Sequence, residues 1–249
     1  MSVVFEKTKG MEDYKTHYCP GCGHGIVHRL IAESLEEMGE LDNASVCAPV
    51  GCGVLINKYL TIDGIQCSHG RAPATATGLK RVHPNQIVIS YQGDGDLASI
   101  GMAEIVHAAA RGEKITVIFI NNGIYGMTGG QMAPTTLIGM KATTSQAGRT
   151  AELNGNPIRV SELLSTLTGP AYIERVSVCN PANIIKTKKA IKKALQLQKE
   201  GAGFTLVEVV SNCPTNWGMT PVSSMKFVQD SMIPYYPLGV YKDTTQEAK

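Results

Sequence analysis

The chain has 249 residues, an apolar fraction of 43% and a formal net charge of +2 at pH 7. This is enough for one large α/β domain with a real core. The near-balanced charge without long basic runs argues against nucleic acid or a membrane surface as partner. No apolar run approaches the roughly 18 residues of a membrane span. We also find no secretion signal in the first residues, so we expect a cytoplasmic protein with reduced cysteines.

The first motif, YCPGCGHGI from Tyr18 to Ile26, combines a C-x-x-C pair with three glycines. Glycine at this density lets the backbone approach a group that is not protein, and paired thiols can hold a metal, a cluster or another sulfur. Beyond the motif, apolar residues recur at helical spacing as far as Met38, and Gly39 suits a left-handed C-terminal cap. The motif therefore leads directly into a predicted helix.

Short apolar runs then alternate with helical patterns. The runs NQIVISYQ and KITVIFIN are typical of parallel strands buried on both faces, with ASIGMAEIVHAAARG as the crossover helix between them. The alternation continues through AYIERVSV, PANIIKTKKAIKKALQLQKEG and FTLVEVV. This order predicts an α/β fold with a doubly wound parallel sheet. We expect one domain over 1–210 and a C-terminal extension over 211–249 that is not an independent domain.

Two stretches lack a sustained period. Residues 123–157 are rich in Gly, Thr, Met and Pro, and structureless loops above roughly 15 residues in compact domains are usually functional or disordered. We expect this one to cover a ligand or a partner subunit. The extension after Ser211 has aromatic residues and prolines without a clear period, which favours packing on a neighbour over disorder.

Polar motifs follow the two clearest strands: GDGD, from Gly93 to Asp96, and NNGIYG, which includes Asn122. In an open parallel sheet, ligands bind beyond the carboxyl ends of the strands near a topological switch point. The Asp94 carboxylate, the Asn122 amide oxygen and a backbone carbonyl suit Mg²⁺, which usually keeps phosphate oxygens as further ligands. A helix N-terminus near Leu97 can bring N–H groups to a diphosphate. Asp-Gly is also common in turns, and it is the pairing of the two motifs that favours a metal and a diphosphate.

This pairing resembles the thiamine diphosphate signature, in which G-D-G is followed by N-N. The resemblance puts Asp94, Asn122 and the Ile124 carbonyl on Mg²⁺. With CPGCGH, VGCG, SHGRAPATATGLK, NNGIYGMTGGQMAPTT and NCPTNW in this order, the chain resembles the β subunit of 2-oxoacid:ferredoxin oxidoreductases up to about Trp217. The resemblance implies oxidative decarboxylation of a 2-oxoacid: the thiamine carbon attacks the 2-oxo group and CO₂ leaves. Electrons then pass singly through a [4Fe–4S] cluster to ferredoxin, and coenzyme A takes the acyl group.

Four of the seven cysteines are implied as cluster ligands by this resemblance. The residues themselves favour Cys52 over Cys47, because glycines flank Cys52 while Cys47 lies in an apolar run. Cys67 and Cys179 also lie in strand-like runs and are expected to be core residues. A structural Cys₄ zinc site stays open as an alternative. The implied cluster ligands are Cys19, Cys22, Cys52 and Cys213.

Three further side chains are predicted to be catalytic. His24 begins the first helix, where the helix N-terminus disfavours the imidazolium form, and it can donate to a phosphate or a substrate carboxylate or merely cap the helix. The resemblance places His69 and Arg71 in a turn beside the cofactor, with a surface turn as the alternative. The predicted cofactor contacts are Gly23, His24, Cys52, His69, Gly70, Arg71, Gly93, Asp94, Gly95, Asp96, Asn122, Ile124, Tyr125, Gly126, Met127 and Thr128.

A partner chain is implied, because thiamine enzymes need a second domain for the aminopyrimidine ring. The resemblance supplies it as an α subunit, with a γ subunit for coenzyme A and often a ferredoxin-like δ subunit. Gly129 replaces a lysine that some relatives carry in YG-x-T-K-G-Q, which favours 2-oxoisovalerate over 2-oxoglutarate as substrate.

Two alternative functions stay open. A thiamine decarboxylase or synthase without redox chemistry explains GDGD and Asn122 but leaves the cysteine set without a use. A non-catalytic subunit held together by zinc explains the cysteines and makes GDGD only a turn.

Overall fold

The computed structural model describes residues 6–247. In this part of the chain, strands alternate with helices as the apolar pattern predicts. The strands are β1 (Ala44–Ala48), β2 (Asp63–Gln66), β3 (Ile87–Gly93), β4 (Thr116–Asn121), β5 (Ile124–Tyr125), β6 (Gln131–Met132), β7 (Pro170–Ser177), β8 (Phe204–Val210) and β9 (Gly239–Asp243).

The helices begin where the first motif predicts, at His24, and the first one ends before Gly39, which caps it with a left-handed φ of 69°. The α-helices are α1 (His24–Met38), α2 (Ala72–Val82), α3 (Met102–Ala110), α4 (Ala151–Asn154), α5 (Val160–Ser165), α6 (Pro181–Lys199), α7 (Pro214–Trp217), α8 (Pro221–Phe227), α9 (Ile233–Tyr235) and α10 (Thr244–Glu247). Short 3₁₀-helices cover Leu41–Asn43 and Cys52–Lys58, and π-helical turns cover Asp96–Ile100 and Val228–Met232. Among residues 6–247, no helix is both long and apolar enough to cross a bilayer.

Seven of the strands form one sheet in the order β2–β1–β3–β4–β8–β7–β9. All neighbours are parallel except β9, which runs antiparallel to β7. From β1 the chain moves outward to β2 and then returns to β3 on the other side of β1. The topological switch point therefore lies between β1 and β3. The predicted doubly wound parallel sheet is confirmed, with one antiparallel edge strand in addition.

The core lies on both faces of this sheet, which explains the unbroken apolar runs. Successive side chains of a strand point to opposite faces, so Val117 and Phe119 of β4 join the cluster under α2, α3 and α5. Ile118 and Ile120 of the same strand join the cluster under α1 and α6. Every residue of β4 is buried. Each residue of this strand must therefore be apolar or fully hydrogen-bonded. The sequence of the strand consequently lacks the alternation of apolar and polar residues that marks a strand with one solvent-exposed face.

The segment after Val210 folds back onto its own domain. Its residues Val228, Met232 and Tyr236 are buried together with Leu137, and β9 extends the sheet by pairing with β7. We expected this segment to pack on a neighbouring subunit, but this part of its apolar surface covers this chain's own sheet. Its short helices and bulged edge strand lack the long period that would have revealed them in the sequence.

The long stretch 123–157 is compact although it contains little regular structure. Its centre is the Arg149 guanidinium, which is 4% exposed and lies within hydrogen-bond distance of six carbonyl oxygens. It thereby links residues 133–136 to residues 154–156. The accepting residues are Ala133, Pro134, Thr136, Asn154, Gly155 and Asn156.

Candidate active site

The polar ends of β3 and β4 meet because these strands are parallel neighbours, with Gly93 paired to Ile120. Asp94, the residue after β3, is buried, and its Oδ1 accepts a hydrogen bond from the Gly95 N–H at 2.8 Å. Its Oδ2 accepts from the Ile124 N–H at 3.2 Å. The same N–H lies 3.3 Å from Oδ1 of Asn122. The structure thus brings together Asp94, Asn122 and Ile124, the three residues predicted for Mg²⁺.

The environment of Asp94 fits a divalent cation. Burial raises the pKa of this carboxyl to about 6, although the hydrogen bonds that it accepts lower it. A buried carboxylate that ionises near neutral pH gains stability from an adjacent positive charge. Among the described residues, no three His, Cys, Asp or Glu side chains are grouped to hold a single metal ion. One carboxylate with an amide and a carbonyl is instead the sparse protein ligand set that Mg²⁺ uses beside phosphate oxygens.

The two asparagines after β4 have different surroundings. The Asn121 amide nitrogen donates to Oε1 of Glu208 in the core at 2.8 Å. Asn122, the next residue, lines the cleft with Asp94. Because successive side chains of an extended segment point to opposite sides, only the second asparagine of the pair can serve the site.

A cleft of about 140 Å³ opens beyond the carboxyl ends of β1, β3 and β4. It lies at the topological switch point, where ligands of such sheets bind. Its wall at Gly95 requires glycine, because a Cβ there would lie 2.2 Å from the Tyr125 ring. Sequence reasoning missed three of the lining residues, which follow β1 and carry no distinctive chemistry. The cleft is lined by His24, Val50, Gly51, Cys52, Gly53, His69, Gly93, Asp94, Gly95, Asp96, Asn122, Ile124, Tyr125, Gly126, Met127 and Thr128.

His24 lines the cleft as a neutral imidazole. Burial lowers its pKa to about 4, and the Tyr18 ring stacks on it with centroids 4.9 Å apart. Its Nδ1 lies 2.6 Å from the hydroxyl of Tyr91, which is fully buried. Buried hydroxyls are hydrogen-bonded, and donation from the Tyr91 O–H to Nδ1 is the arrangement that places the proton of His24 on Nε2, free for the cleft. The sequence showed no sign of this tyrosine, since it lies in the middle of an apolar strand.

His69 also lines the cleft, and Asp96 holds it. Oδ1 of Asp96 lies 2.5 Å from Nδ1 of His69 and accepts from the backbone N–H of Gly70 and Val50. Its Oδ2 accepts from the Gln92 amide at 2.6 Å. Asp96 was predicted as a cofactor contact, but four protein donors already occupy its carboxylate. Its structural role is therefore to orient His69 and the turns around it.

Three predicted contacts do not reach the cleft. The Arg71 guanidinium is half-exposed and forms an ion pair with Glu104 on α3. Gly23 packs behind the site, because its N–H donates to Oδ1 of Asn212 at 3.1 Å. Gly70 is enclosed as well, since a Cβ there would lie 2.6 Å from the backbone of Gly101. Neighbouring residues of a turn point their side chains in different directions. The motif alone does not show which of these residues face the cleft.

The four predicted cluster cysteines converge at one edge of the cleft. A Cβ on Gly126 would lie 3.3 Å from Sγ of Cys52 and 3.5 Å from Sγ of Cys213. Burial and then the neighbouring thiols raise the pKa of Cys22 to about 12, and the same causes raise that of Cys52 to about 11. Cys19 is the exposed member of the group. The four thiols therefore lie close enough to raise one another's pKa values, although they come from three separate segments.

The remaining cysteines lie away from this group. Cys47 and Cys67 are buried in the apolar cluster under α2, as predicted. Cys179 was expected in the core, but it follows β7 and is only half-buried, and its sulfur accepts hydrogen bonds from the Asn180 and Asn183 amides. The four converging cysteines are not arranged around a single ion within residues 6–247.

Comparison with known proteins agrees with this geometry. Residues 50–209 match the family described as thiamine pyrophosphate enzyme, C-terminal TPP binding domain. The matched range contains the carboxyl ends of β3 and β4 and the cleft residues that follow β1. The chain therefore carries a thiamine pyrophosphate-binding domain.

Curated relatives identify the branch of this family. The chain is 46% identical over 246 residues to the ketoisovalerate oxidoreductase subunit VorA of Methanothermobacter thermautotrophicus, covering 99% of this chain and 52% of the relative. It is 36% identical to the 2-oxoglutarate synthase subunit KorB of Methanocaldococcus jannaschii, covering 92% of this chain and 82% of the relative. The chain thus spans about half the length of the VorA subunits it matches.

A solved structure shares the fold. The 2-oxoglutarate:ferredoxin oxidoreductase from Magnetococcus marinus superposes with a TM-score of 0.75 at 24% identity, over 96% of this chain and 87% of that chain. At this identity the likeness shows the fold alone. The relatives and the domain match confirm the resemblance seen in the motifs. The chain belongs to the family of 2-oxoacid:ferredoxin oxidoreductase subunits, within which it contributes a thiamine pyrophosphate-binding domain.

Proposed function

We propose that this chain is the thiamine- and cluster-binding subunit of an oxidoreductase that converts a 2-oxoacid and coenzyme A to acyl-CoA and CO₂ and reduces ferredoxin. The observation that carries the proposal is that the buried Asp94 and Cys52 line one cleft, while Cys19, Cys22 and Cys213 lie close to Cys52. A non-redox thiamine enzyme has no use for the cysteines. A zinc-held assembly subunit has no use for a buried carboxylate at the switch point.

The residues at the ends of β3 and β4 would hold Mg²⁺ and the diphosphate. Asp94, Asn122 and the Ile124 carbonyl provide hard oxygen ligands, and the glycines of GDGD keep the cleft wall open. When bound, thiamine diphosphate supplies a nucleophilic carbon and an electron sink. His24 and His69 face the same cleft, where the neutral His24 can donate one hydrogen bond from Nε2 to a substrate oxygen.

The cysteines would hold a [4Fe–4S] cluster at the edge of the same cleft. Burial and mutual repulsion raise the pKa values of Cys22 and Cys52, so the thiolates are unfavourable there without a positive group. Iron supplies that charge and displaces the thiol protons. The ligands in this proposal are Cys19, Cys22, Cys52 and Cys213.

A branched-chain 2-oxoacid is the favoured substrate. Gly129 lacks the lysine that could meet a second carboxylate, and its φ of 104° is one that a lysine would adopt only with strain. The VorA relatives are 46% identical and the KorB relatives 31–37%, which supports the same order of preference. Comparing kcat/KM for 2-oxoisovalerate and 2-oxoglutarate tests it, and a higher value for 2-oxoglutarate would reverse it.

Partner chains are part of the proposal. An α subunit would complete the cofactor site, a γ subunit would serve coenzyme A, and a δ subunit would carry electrons to ferredoxin in the cytoplasm. The exposed apolar side chains of Val50 and Met127 on the cleft wall are consistent with a partner that closes the cleft.

The test is 2-oxoacid-dependent reduction of a viologen dye by the anaerobically purified complex. We expect reduction that requires coenzyme A and the 2-oxoacid together, and its loss in an otherwise identical complex with Asp94→Asn. Absence of dye reduction from a complex loaded with iron and thiamine diphosphate would overturn the proposal.

A further inference from the structure

We infer that Thr135 is the positioning residue for the Asp94 carboxylate, and that Tyr236 of the C-terminal segment holds Thr135 in place. This inference rests on the proposed function, because it takes Asp94 as the residue that meets Mg²⁺ and the diphosphate. It extends the site to two parts of the chain that the motifs do not include.

The contact is a short hydrogen bond between buried groups. Oγ1 of Thr135 donates to Oδ2 of Asp94 at 2.7 Å, and the Thr135 residue is fully buried. The other donors to this carboxylate are the backbone N–H groups of Gly95, Gly123 and Ile124. Those three groups belong to the turns that follow β3 and β4. Thr135 is therefore the side chain that ties the carboxylate to the long stretch 123–157.

Thr135 is itself held from the far end of the chain. The hydroxyl of Tyr236 donates to the Thr135 carbonyl at 2.7 Å, and Tyr236 is fully buried against Val228 and Met232. The hydrogen bond from the Tyr236 hydroxyl to the Thr135 carbonyl thus links the segment after Val210 to the part of the cleft around Asp94.

The hydroxyl matters because a carboxylate on a flexible side chain must be fixed in one orientation to present an oxygen to a cation. Outer partners of metal ligands commonly do this, and their loss typically weakens metal binding by about 10- to 100-fold. A valine at position 135 keeps the branched shape and removes only the donor. A serine keeps the donor and removes only a methyl group.

Thr136 provides a matched control beside it. It is equally buried, its hydroxyl donates to the Gly123 carbonyl at 2.6 Å and accepts from the Ala133 N–H at 2.8 Å. Among the described residues, its hydroxyl bonds to Gly123 and Ala133 rather than to Asp94. Thr136→Val therefore loosens the same loop to a similar degree without removing the donor to the carboxylate.

The experiment measures the Mg²⁺ dissociation constant of the full chain by calorimetry at saturating thiamine diphosphate, with the melting temperature of the cofactor-free chain as a folding check. We expect Thr135→Val to raise that constant about tenfold, and Thr135→Ser to restore it nearly to the wild-type value. Thr136→Val should lower the melting temperature with a smaller change in Mg²⁺ binding. Tyr236→Phe should raise the constant by less than Thr135→Val does.

The outcomes separate the two claims. If the wild-type chain bound neither Mg²⁺ nor thiamine diphosphate, the proposed function would fail and this inference with it. If the wild type bound both and Thr135→Val bound equally well, only this inference would fail. If Thr135→Val does not fold, Tyr236→Phe and Thr135→Ser together decide. Wild-type Mg²⁺ binding by Tyr236→Phe, combined with weak Mg²⁺ binding by Thr135→Ser, would contradict the role proposed for the Thr135 hydroxyl.

Discussion

The two ends of the cleft are built in opposite ways. We call the part around Asp94 and Asn122, where Mg²⁺ is proposed to bind, the metal end, and the part around Cys52 the cysteine end. Asp94 and Asn122 are buried and follow neighbouring strands of one sheet, so the sheet itself fixes their separation. The cysteines come from the turn before α1, from the turn after β1 and from the segment after β8, and Cys19 is exposed. The first region is therefore organised before its ligand arrives. The second gathers groups that repel one another when ionised, and the proposed cluster would relieve that repulsion.

The largest expected effect is at the organised end. Asp94→Asn should weaken Mg²⁺-dependent thiamine diphosphate binding by more than the roughly 100-fold upper range for outer partners, because it removes the charged ligand itself. Calorimetry on the full chain measures it. Asp96→Asn is the matched control, since its carboxylate accepts only protein donors. It should lower the melting temperature and retain most of the Mg²⁺ affinity. Equal Mg²⁺ affinity in both variants would remove the distinction between these carboxylates.

At the cysteine end, Cys213→Ser should abolish most of the bound iron. Four thiolates are needed to hold the cluster, and Cys213 meets Cys52 at the Gly126 backbone. Cys47→Ser is the control, because Cys47 is fully buried in the apolar core. That variant should lose stability but keep its iron. Iron analysis of the anaerobically purified variants decides this, and unchanged iron in Cys213→Ser would exclude Cys213 as a ligand.

A smaller effect is expected at His24, which lines the same cleft. Tyr91→Phe removes the hydroxyl that donates to Nδ1 and should lower kcat/KM for the 2-oxoacid about fivefold, which corresponds to the roughly 1 kcal/mol of one hydrogen bond. Tyr59→Phe is the control, because the Tyr59 hydroxyl accepts from the His17 backbone N–H outside the cleft. If both variants had equal kcat/KM, the tautomer of His24 would have no influence on the reaction.

The two ends should also respond to pH in opposite directions. Without a cation, the pKa of Asp94 is raised to about 6, and protons compete with Mg²⁺ for its carboxylate. Mg²⁺ binding should therefore weaken as the pH falls below about 6, by up to tenfold for each pH unit. Titrations of Mg²⁺ into free thiamine diphosphate in the same buffers correct for protonation of the diphosphate. Affinity that stayed constant down to pH 5 after that correction would contradict the raised pKa.

Alkaline pH should act on the cysteine end, with the smallest effect. The folded pKa values of Cys22 and Cys52 lie at about 12 and 11, above the ordinary value of 9.0. Above pH 9 the unfolded chain ionises first, so the cluster-free chain should lose stability as the pH rises toward 11. Melting temperatures across this range measure it. A Cys22→Ser and Cys52→Ser double variant should show a shallower fall, and identical curves would mean that these thiols do not carry the effect.

Sequence reasoning succeeded where backbone periodicity carries the information. The β-branched runs of β3 and β4 predicted a parallel sheet, and residues directly after parallel strands must meet at one edge, so Asp94 and Asn122 were predictable. Thr135, Tyr91 and Tyr236 were not, because their roles depend on contacts between residues 41, 67 and 101 positions apart. Arg71 shows the opposite error, since a turn motif does not reveal which way each side chain points.

The most direct test of the central claim is iron, zinc and acid-labile sulfide analysis of the anaerobically purified chain, made on one sample. We expect about four irons and four sulfides per chain with little zinc, as a [4Fe–4S] cluster requires. Stoichiometric zinc without sulfide would contradict it. The cysteines would then be a structural clip, and only the thiamine diphosphate end of the cleft would stand.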